Sequence, residues 1–349
     1  MTTTSVKNIS IIGIVSVLPE IELANIDQTC VTDIEKVIAS TGIHSRRVVG
    51  PQQTALDLGN FACQQLLAEL AWDINDVALI VFVTQTPDYP LPGNAVLLQN
   101  KLNLPKTTLA FDVNLGCSGF IYGFWLVSQL LNGLKGSKAL LVVGDTTSQQ
   151  YSDSNRSVSS LFGDAVSAIA IEKTPSTDEI TFNFGSDGSG APYLIQPNNG
   201  ARNPGISPEL FMDGTQVFVF TLREIPKSIM QCVEQKGWRL ADIDYCIMHQ
   251  ANEMMLKRLA KKLGLNTDQV IISMKNIGNT SSASIPLALC LSLSEQLTTR
   301  SCKLILSGFG VGWSWGSAAM TSSPLRVCQL IDLASDNNLY FPFKQLKTL

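Results

Sequence analysis

The chain is 349 residues long, 45% hydrophobic and 15% charged, with a net charge of −4. That balance describes a core-rich globular protein, one large domain or two ordinary ones, and excludes a disordered chain. It gives no footing to a nucleic-acid binder or to a protein held on an anionic membrane surface.

Further exclusions follow from local patterns. No apolar run approaches the ~20 residues that a membrane helix needs. Residues 1–6 lack a signal-peptide pattern, and Lys347-Thr348-Leu349 is not the peroxisomal Ser-Lys-Leu. Eight cysteines are scattered without a Cys-x-x-Cys pair, which speaks against a zinc site or disulfide framework and for a reducing compartment. A cytosolic protein without a metal is expected.

In chain order, 6–18 reads as a buried strand stopped by Pro19. Helices are expected over 32–39 and 54–71, then a strand over 77–83 and a helix over 95–102. The apolar run 109–113 is a strand, and Asn114-Leu115-Gly116 a tight turn. Beyond Gly119, Phe120, Ile121, Phe124, Val127 and Leu131 recur at helical spacing. Cys117 therefore sits where a strand ends and a helix begins. A helix N-terminus carries partial positive charge and free N–H groups, which favour the thiolate of a nucleophile, and Gly116 and Gly119 admit close approach of a substrate. The same cysteine reads equally as a small buried hydrophobe. A strand over 138–143, a loop to Ser160 and a strand near 165–171 complete an alternation that signals an α/β protein.

The second half repeats the first. Ala71-Trp72-Asp73-Ile74 matches Gly237-Trp238-Arg239-Leu240, 166 positions on, and Lys138-Ala139-Leu140-Leu141 matches Lys303-Leu304-Ile305-Leu306, 165 on. Lys101-Leu102-Asn103-Leu104 pairs with Lys262-Leu263-Gly264-Leu265, 161 on. Two similar α/β halves, 1–176 and 177–349, are expected to pack together with a ligand between them. By this offset Cys117 corresponds to Ala283, so one half alone keeps a nucleophile.

The chain has two histidines. His249 follows the expected strand 243–248, at a strand's carboxyl end where α/β proteins place their chemistry; it reads equally as a capping or core residue. His44, within His44-Ser45-Arg46-Arg47, fits a solvated loop or an interface. Asn276 to Pro286 is a polar turn into a helix over 287–297, which could be no more than capping residues. Gly308 to Gly316 is a glycine-rich turn between strands, architectural or able to aim N–H groups at an oxyanion.

Together, Cys117 in its turn, Phe162-Gly163-Asp164-Ala165, His249-Gln250-Ala251-Asn252, Gly278-Asn279-Thr280-Ser281 and Gly308–Gly316 resemble the β-ketoacyl-ACP synthase III family of thiolase-like condensing enzymes. The resemblance covers nearly the whole chain. It implies a five-layer αβαβα sandwich and a homodimer paired through the first half's sheet. It implies Cys117 as acyl-accepting nucleophile, His249 with Asn279 as the decarboxylation pair, and backbone N–H groups of Cys117 and Val311 as oxyanion hole. The reaction implied is condensation of a Cys-bound acyl group with a malonyl thioester, needing no metal, nucleotide or flavin. Phe309-Gly310-Val311 lacks the second cysteine of thiolases, which disfavours thiolysis.

Arg156, Gly214, Phe218 and Asn252 match the family's pantetheine-tunnel positions, and Leu91 and Phe309 are expected in the acyl-pocket wall. The usual Trp and Arg that bind the coenzyme A adenine end are here Lys36 and Ser40, and the Arg beyond the catalytic His is Met254. An acyl donor on an acyl carrier protein, or an unusual acyl-coenzyme A, is therefore expected. Lys257, Arg258, Lys261 and Lys262 could dock that carrier, or simply form a solvated helix face. Residues beyond about 321 extend past the usual family end, and Leu339 to Phe343 could dock on the body or the partner subunit. Two other readings remain: an acyltransferase passing acyl groups from Cys117 to an alcohol or amine, and a non-catalytic subunit that binds acyl carriers.

Overall fold

The computed structural model describes residues 1–175 and 178–335. Its first half runs β1 (Thr2–Val6), β2 (Ile9–Pro19), β3 (Ile21–Ala24), α1 (Ile34–Thr41), β4 (Ser45–Val48), α2 (Ala55–Leu70), β5 (Val77–Val83), α3 (Asn94–Lys101), β6 (Leu109–Val113), α4 (Gly119–Gly133), β7 (Lys138–Asp145) and β8 (Ala165–Lys173). The second follows with β9 (Ile180–Ser186), β10 (Leu194–Ile195), β11 (Phe211–Met212), α5 (Gly214–Gln235), β12 (Tyr245–Met248), α6 (Glu253–Leu263), α7 (Ser284–Thr299), β13 (Cys302–Gly310), β14 (Ser314–Ser322) and β15 (Val327–Leu333).

Local chemistry sets the helix ends. Thr54 and Asp57 close a capping box at the start of α2, satisfying N–H groups that a helix start leaves free. In α6, Met255, Leu256, Leu259 and Leu263 are buried while Lys257, Arg258, Lys261 and Lys262 face solvent. Asn252 caps its start and Gly264, at φ 72°, ends it.

Two sheets organise the molecule. One has the order β15-β2-β8-β7-β5-β6, the other β1-β9-β14-β13-β12. Between them lie α4 and α7, whose Phe120, Phe124, Ile285 and Leu289 share a core with Val81, Ile169, Phe182 and Leu306 from both sheets. α2 and α3 cover the first sheet's outer face, and α5 and α6 cover the second's. Counted across, this is the expected five-layer αβαβα sandwich, and its repeat is visible: Cys117 precedes α4 much as Ala283 precedes α7.

Two expectations need correction. The stretch 6–18 is not one strand: the chain breaks at Asn8, which takes a left-handed φ of 59°. β1 joins the second sheet beside β9 while β2 joins the first. Residues from 321 are not simply an appendage either. β14 runs to Ser322, and β15 pairs in parallel with β2, completing the first sheet. Each sheet thus takes one strand from the other half of the chain. The apolar Leu339–Phe343 segment lies outside the described residues.

Candidate active site

The parallel strands β5 and β6 and the neighbouring β7 end together, and the turns beyond them form one wall of a cavity of about 370 Å³. Cys117 lies in its lining, together with Phe162, Leu194, Leu210, Ser281 and Val311. The turn that carries Cys117 is closed by Gly119 N donating to Gly116 O at 2.6 Å. Opposite stands Gly310 at the end of β13. A Cβ there would sit 3.1 Å from Cys117 Sγ and 2.7 Å from its Cβ, so only glycine leaves the sulfur its place. Ser314 fixes the next peptide: its Oγ donates to Val311 O at 2.7 Å and lies 2.7 Å from Ser118 Oγ.

His249 directly follows β12, and its N–H donates to Ser307 O at 2.8 Å, holding the residue on the edge of β13. The ring is 2% exposed, packed edge-on to Phe309 at 5.5 Å. Nδ1 lies 2.7 Å from Ser284 Oγ, which also accepts from Gln250 N at 3.4 Å. A hydroxyl oxygen that accepts from Gln250 N can still either donate to Nδ1 or accept from it, so Ser284 anchors the ring in either tautomer. Burial pulls the imidazole pKa down to about 3, against a smaller opposing effect from a backbone hydrogen bond to Ser281. This histidine is neutral at physiological pH.

Asn279 is anchored by its backbone, its N–H donating to Leu161 O at 2.8 Å and its carbonyl accepting from Gly163 N at 3.1 Å. Its Oδ1 accepts from Ser281 N at 3.0 Å. Ser281 is thus common to all three residues: backbone to Asn279 and His249, hydroxyl to Cys117. It holds a left-handed φ of 52°, an uncommon conformation for a residue with a Cβ. Sequence reasoning passed over it as one serine in a capping cluster, and residue type alone carries no signal of that backbone angle.

The protonation state of Cys117 departs from expectation. Burial, and then the charge of Asp145, push its thiol up to about 12, and the Ser281 hydroxyl opposes them only in part. The helix start does not offset the loss of water, so the resting group is a thiol. Asp145 itself is 1% exposed and pushed up by burial. Its Oδ1 accepts from Thr84 Oγ1 at 3.0 Å and Gln85 N at 2.6 Å, and its Oδ2 from Ser282 Oγ at 3.4 Å. Nothing in the sequence motifs marked this carboxylate.

Other expected residues lie elsewhere. Leu91 is 82% exposed in the turn between β5 and α3, outside this chain's cavity, and Phe309 is buried behind His249 rather than lining it. Arg156 and Gly214 are exposed, Phe218 packs half-buried on the outer core of the second half, and Asn252 spends its Oδ1 capping α6 through Met255 N at 2.8 Å. None of these four lines the cavity. Lys36 pairs with Asp33 at 3.2 Å, Ser40 donates to its own helix, and Met254 is 44% exposed. On α6, Lys257 pairs with Glu253 and Lys262 donates to Leu222 O at 2.8 Å. His44 is exposed, with its backbone N–H donating to Lys275 O. Among the described residues no cluster of His, Cys, Asp and Glu could hold a metal, and no helix is long and apolar enough to cross a membrane.

Comparison with known proteins places the chain in a family. Residues 111–188 match the family model described as 3-oxoacyl-[acyl-carrier-protein (ACP)] synthase III, and residues 233–322 match the model of its C-terminal part. A beta-ketoacyl-[acyl-carrier-protein] synthase III of Clostridium acetobutylicum is 33% identical over 90% of this chain and 98% of its own length. One of Neisseria gonorrhoeae is 32% identical over 88% and 97%. The crystal structure of a 3-oxoacyl-(acyl-carrier protein) synthase from Burkholderia xenovorans superposes with a TM-score of 0.91 at 37% identity, covering 95% of this chain and 99% of that one. At 24% identity, the priming beta-ketosynthase of the R1128 polyketide pathway shares the fold, with a TM-score of 0.83 over 93% of this chain and 99% of its own. With relatives so similar along nearly its whole length, the chain belongs to the 3-oxoacyl-[acyl-carrier-protein] synthase III family.

Proposed function

We propose that this protein catalyses decarboxylative Claisen condensation, joining a Cys117-bound acyl group to a malonyl unit on an acyl carrier protein to give a 3-oxoacyl thioester. The observation that carries the reading is the meeting of Cys117, His249 and Asn279 around Ser281. Cys117 Sγ attacks the donor thioester, and the backbone N–H groups of Cys117 and Val311 receive the oxyanion. One such donor is worth about 3–4 kcal/mol of barrier. Loss of carbon dioxide from the malonyl unit then leaves an enolate whose carbon attacks the acyl-enzyme. The enolate oxygen needs uncharged hydrogen-bond donors, and a histidine kept neutral by burial beside a carboxamide meets that need. The chemistry calls for no metal, nucleotide or flavin.

Intact-mass spectrometry with a panel of acyl thioesters tests the first step. The Cys117→Ala variant should gain no acyl mass. Carbon dioxide release from malonyl carrier protein tests the second. His249→Ala and Asn279→Ala should still acylate yet lose release by at least a hundredfold. An acyltransferase would transfer acyl groups without any release, and a non-catalytic carrier-binding subunit would load nothing.

Several partner readings extend this proposal. The exposed face of α6, with Lys257, Arg258, Lys261 and Lys262, suits an acidic carrier protein. A second copy of the chain suits the first sheet's free edge at β6, where Leu91, Val96 and Leu109 are 82%, 45% and 43% exposed. A cytosolic location suits eight cysteines that are all free.

A further inference from the structure

The cavity at Cys117 has an uneven lining. Leu194, Leu210 and Phe162 give it apolar sides, but the wall at the ends of β5, β6 and β7 presents Gln85, Asn114 and Thr147. These groups are held in place. Gln85 Nε2 donates to Asn114 Oδ1 at 3.3 Å, and Gln85 N donates to the buried Asp145 at 2.6 Å. Behind them Thr86 Oγ1 accepts from Thr146 N at 2.9 Å, tying the β5 turn to the β7 turn. The wall thus sets the buried hydroxyl of Thr147 beside two exposed amides, Gln85 and Asn114, at the open side of the cavity.

Under the condensing-enzyme reading, on which this inference rests, His249 and Asn279 belong to the second half and receive the malonyl unit there. The first half's wall is left for the acyl group on Cys117. A hydrocarbon acyl chain laid against that wall would take water from Thr147 and from the amide faces it covers and return no hydrogen bond, an unfavourable exchange. We propose that this cavity selects a short hydroxyacyl group, its hydroxyl received by Gln85, Asn114 and Thr147 while its carbon chain lies along Leu194 and Leu210. In the loading step Cys117 Sγ bonds to the acyl carbon, the bond from that carbon to the donor sulfur breaks, and the thiol proton leaves on the departing thiol. No oxidant or further reactant enters.

The size-matched pair 3-hydroxybutyryl-coenzyme A and 3-methylbutyryl-coenzyme A isolates the hydroxyl. Loading of Cys117 by each is followed on the same full-length sample by intact mass. Taking a ratio of the two rates cancels any loss of folded enzyme. The hydroxyacyl donor should load at least tenfold faster, since a site built to bond a hydroxyl rejects the analogue lacking it. In Gln85→Leu or Thr147→Val that ratio should fall at least tenfold. A ratio near one in the wild type, or a preference that neither variant shifts, overturns the proposal. Loading by no thioester at all overturns the condensing reading itself and this inference with it.

Discussion

Replacing Asp145 with Asn should speed the alkylation of Cys117 by iodoacetamide about tenfold at any pH between roughly 7 and 9. Burial and Asp145 together place the thiol at about 12. At pH 8 about one thiol in ten thousand is then ionised, against about one in four for an ordinary cysteine. Burial is the larger cause and the carboxylate the next, so removing the charge recovers part of the shift and not all of it. Asn keeps the volume and an oxygen for Gln85 N–H. Two buried acids that feel each other's charge compete for one negative charge, so the variant hands that charge to sulfur more readily. The assay is peptide mass after timed quenching from pH 6.5 to 10. Cys30, the one cysteine of the eight that is not buried, serves as internal reference. The wild-type rate should climb tenfold per pH unit without a plateau. A wild-type plateau below pH 9, or an unchanged rate in a natively melting variant, would refute the account of a resting thiol kept protonated by burial and Asp145.

Gly310→Ala should abolish acylation and lower stability by about 1–3 kcal/mol, because its Cβ meets Cys117 Sγ at 3.1 Å and Cβ at 2.7 Å; a melting curve with an acyl-loading assay checks both. Ser281→Ala should slow alkylation of Cys117 several-fold at fixed pH, since its hydroxyl favours the thiolate; an unchanged rate would remove Ser281 from the site's chemistry. Charge reversal of Lys257 and Lys261 should raise the KM for malonyl carrier protein at least fivefold and leave loading from small thioesters alone, which steady-state kinetics at two salt concentrations would show.

The sequence carried some elements to the residue and misplaced others for identifiable reasons. β5 matches its expected span because it is a continuous apolar run, and β6 because its apolar residues, interrupted only by Asp112, end at a turn. α7 starts at Ser284 and not at 287, because Pro286 falls in the first turn, where its missing N–H has no partner to lose. α5, the longest helix, gave no clear signal, and Pro226 in its interior reads as a breaker. At the site, Cys117, His249 and Asn279 were legible as residue types at ordered separations. Their protonation states were not. A helix start argues for a thiolate, yet the raising of Cys117 comes from chains far away in sequence that exclude water. Asp145 ends a strand that looked merely apolar, and what makes it matter is the meeting of β7 with the turn at Ser281 and Ser282.

Burial also leaves a mark on global stability, and here two groups pull in opposite directions. His249 has a folded pKa of about 3 against about 6.5 unfolded. Below pH 6.5 the unfolded chain takes a proton that the folded one refuses, so this contribution is lost as pH falls from 6.5 towards 3. Asp164, raised by burial to about 6 from 3.8, does the reverse: the folded state keeps its proton longer, and stability is lost as pH rises from 3.8 through 6. Each slope approaches about 1.4 kcal/mol per pH unit, so between about pH 4 and 6 the Asp164 slope offsets that of His249, and Asp88, also raised by burial to about 6, adds to the Asp164 side. Asp164→Asn removes one part of that side. The variant costs stability everywhere, since Asp164 accepts from Val49 N and Ser148 N, both at 2.9 Å, so the slope is the readout and not the level. Its unfolding free energy, read by urea titration, should fall on acidification from pH 6 to 4 more steeply than the wild type's, by up to about 1.4 kcal/mol per pH unit. A slope no steeper than the wild type's would mean that the Asp164 carboxyl is not held protonated by the fold.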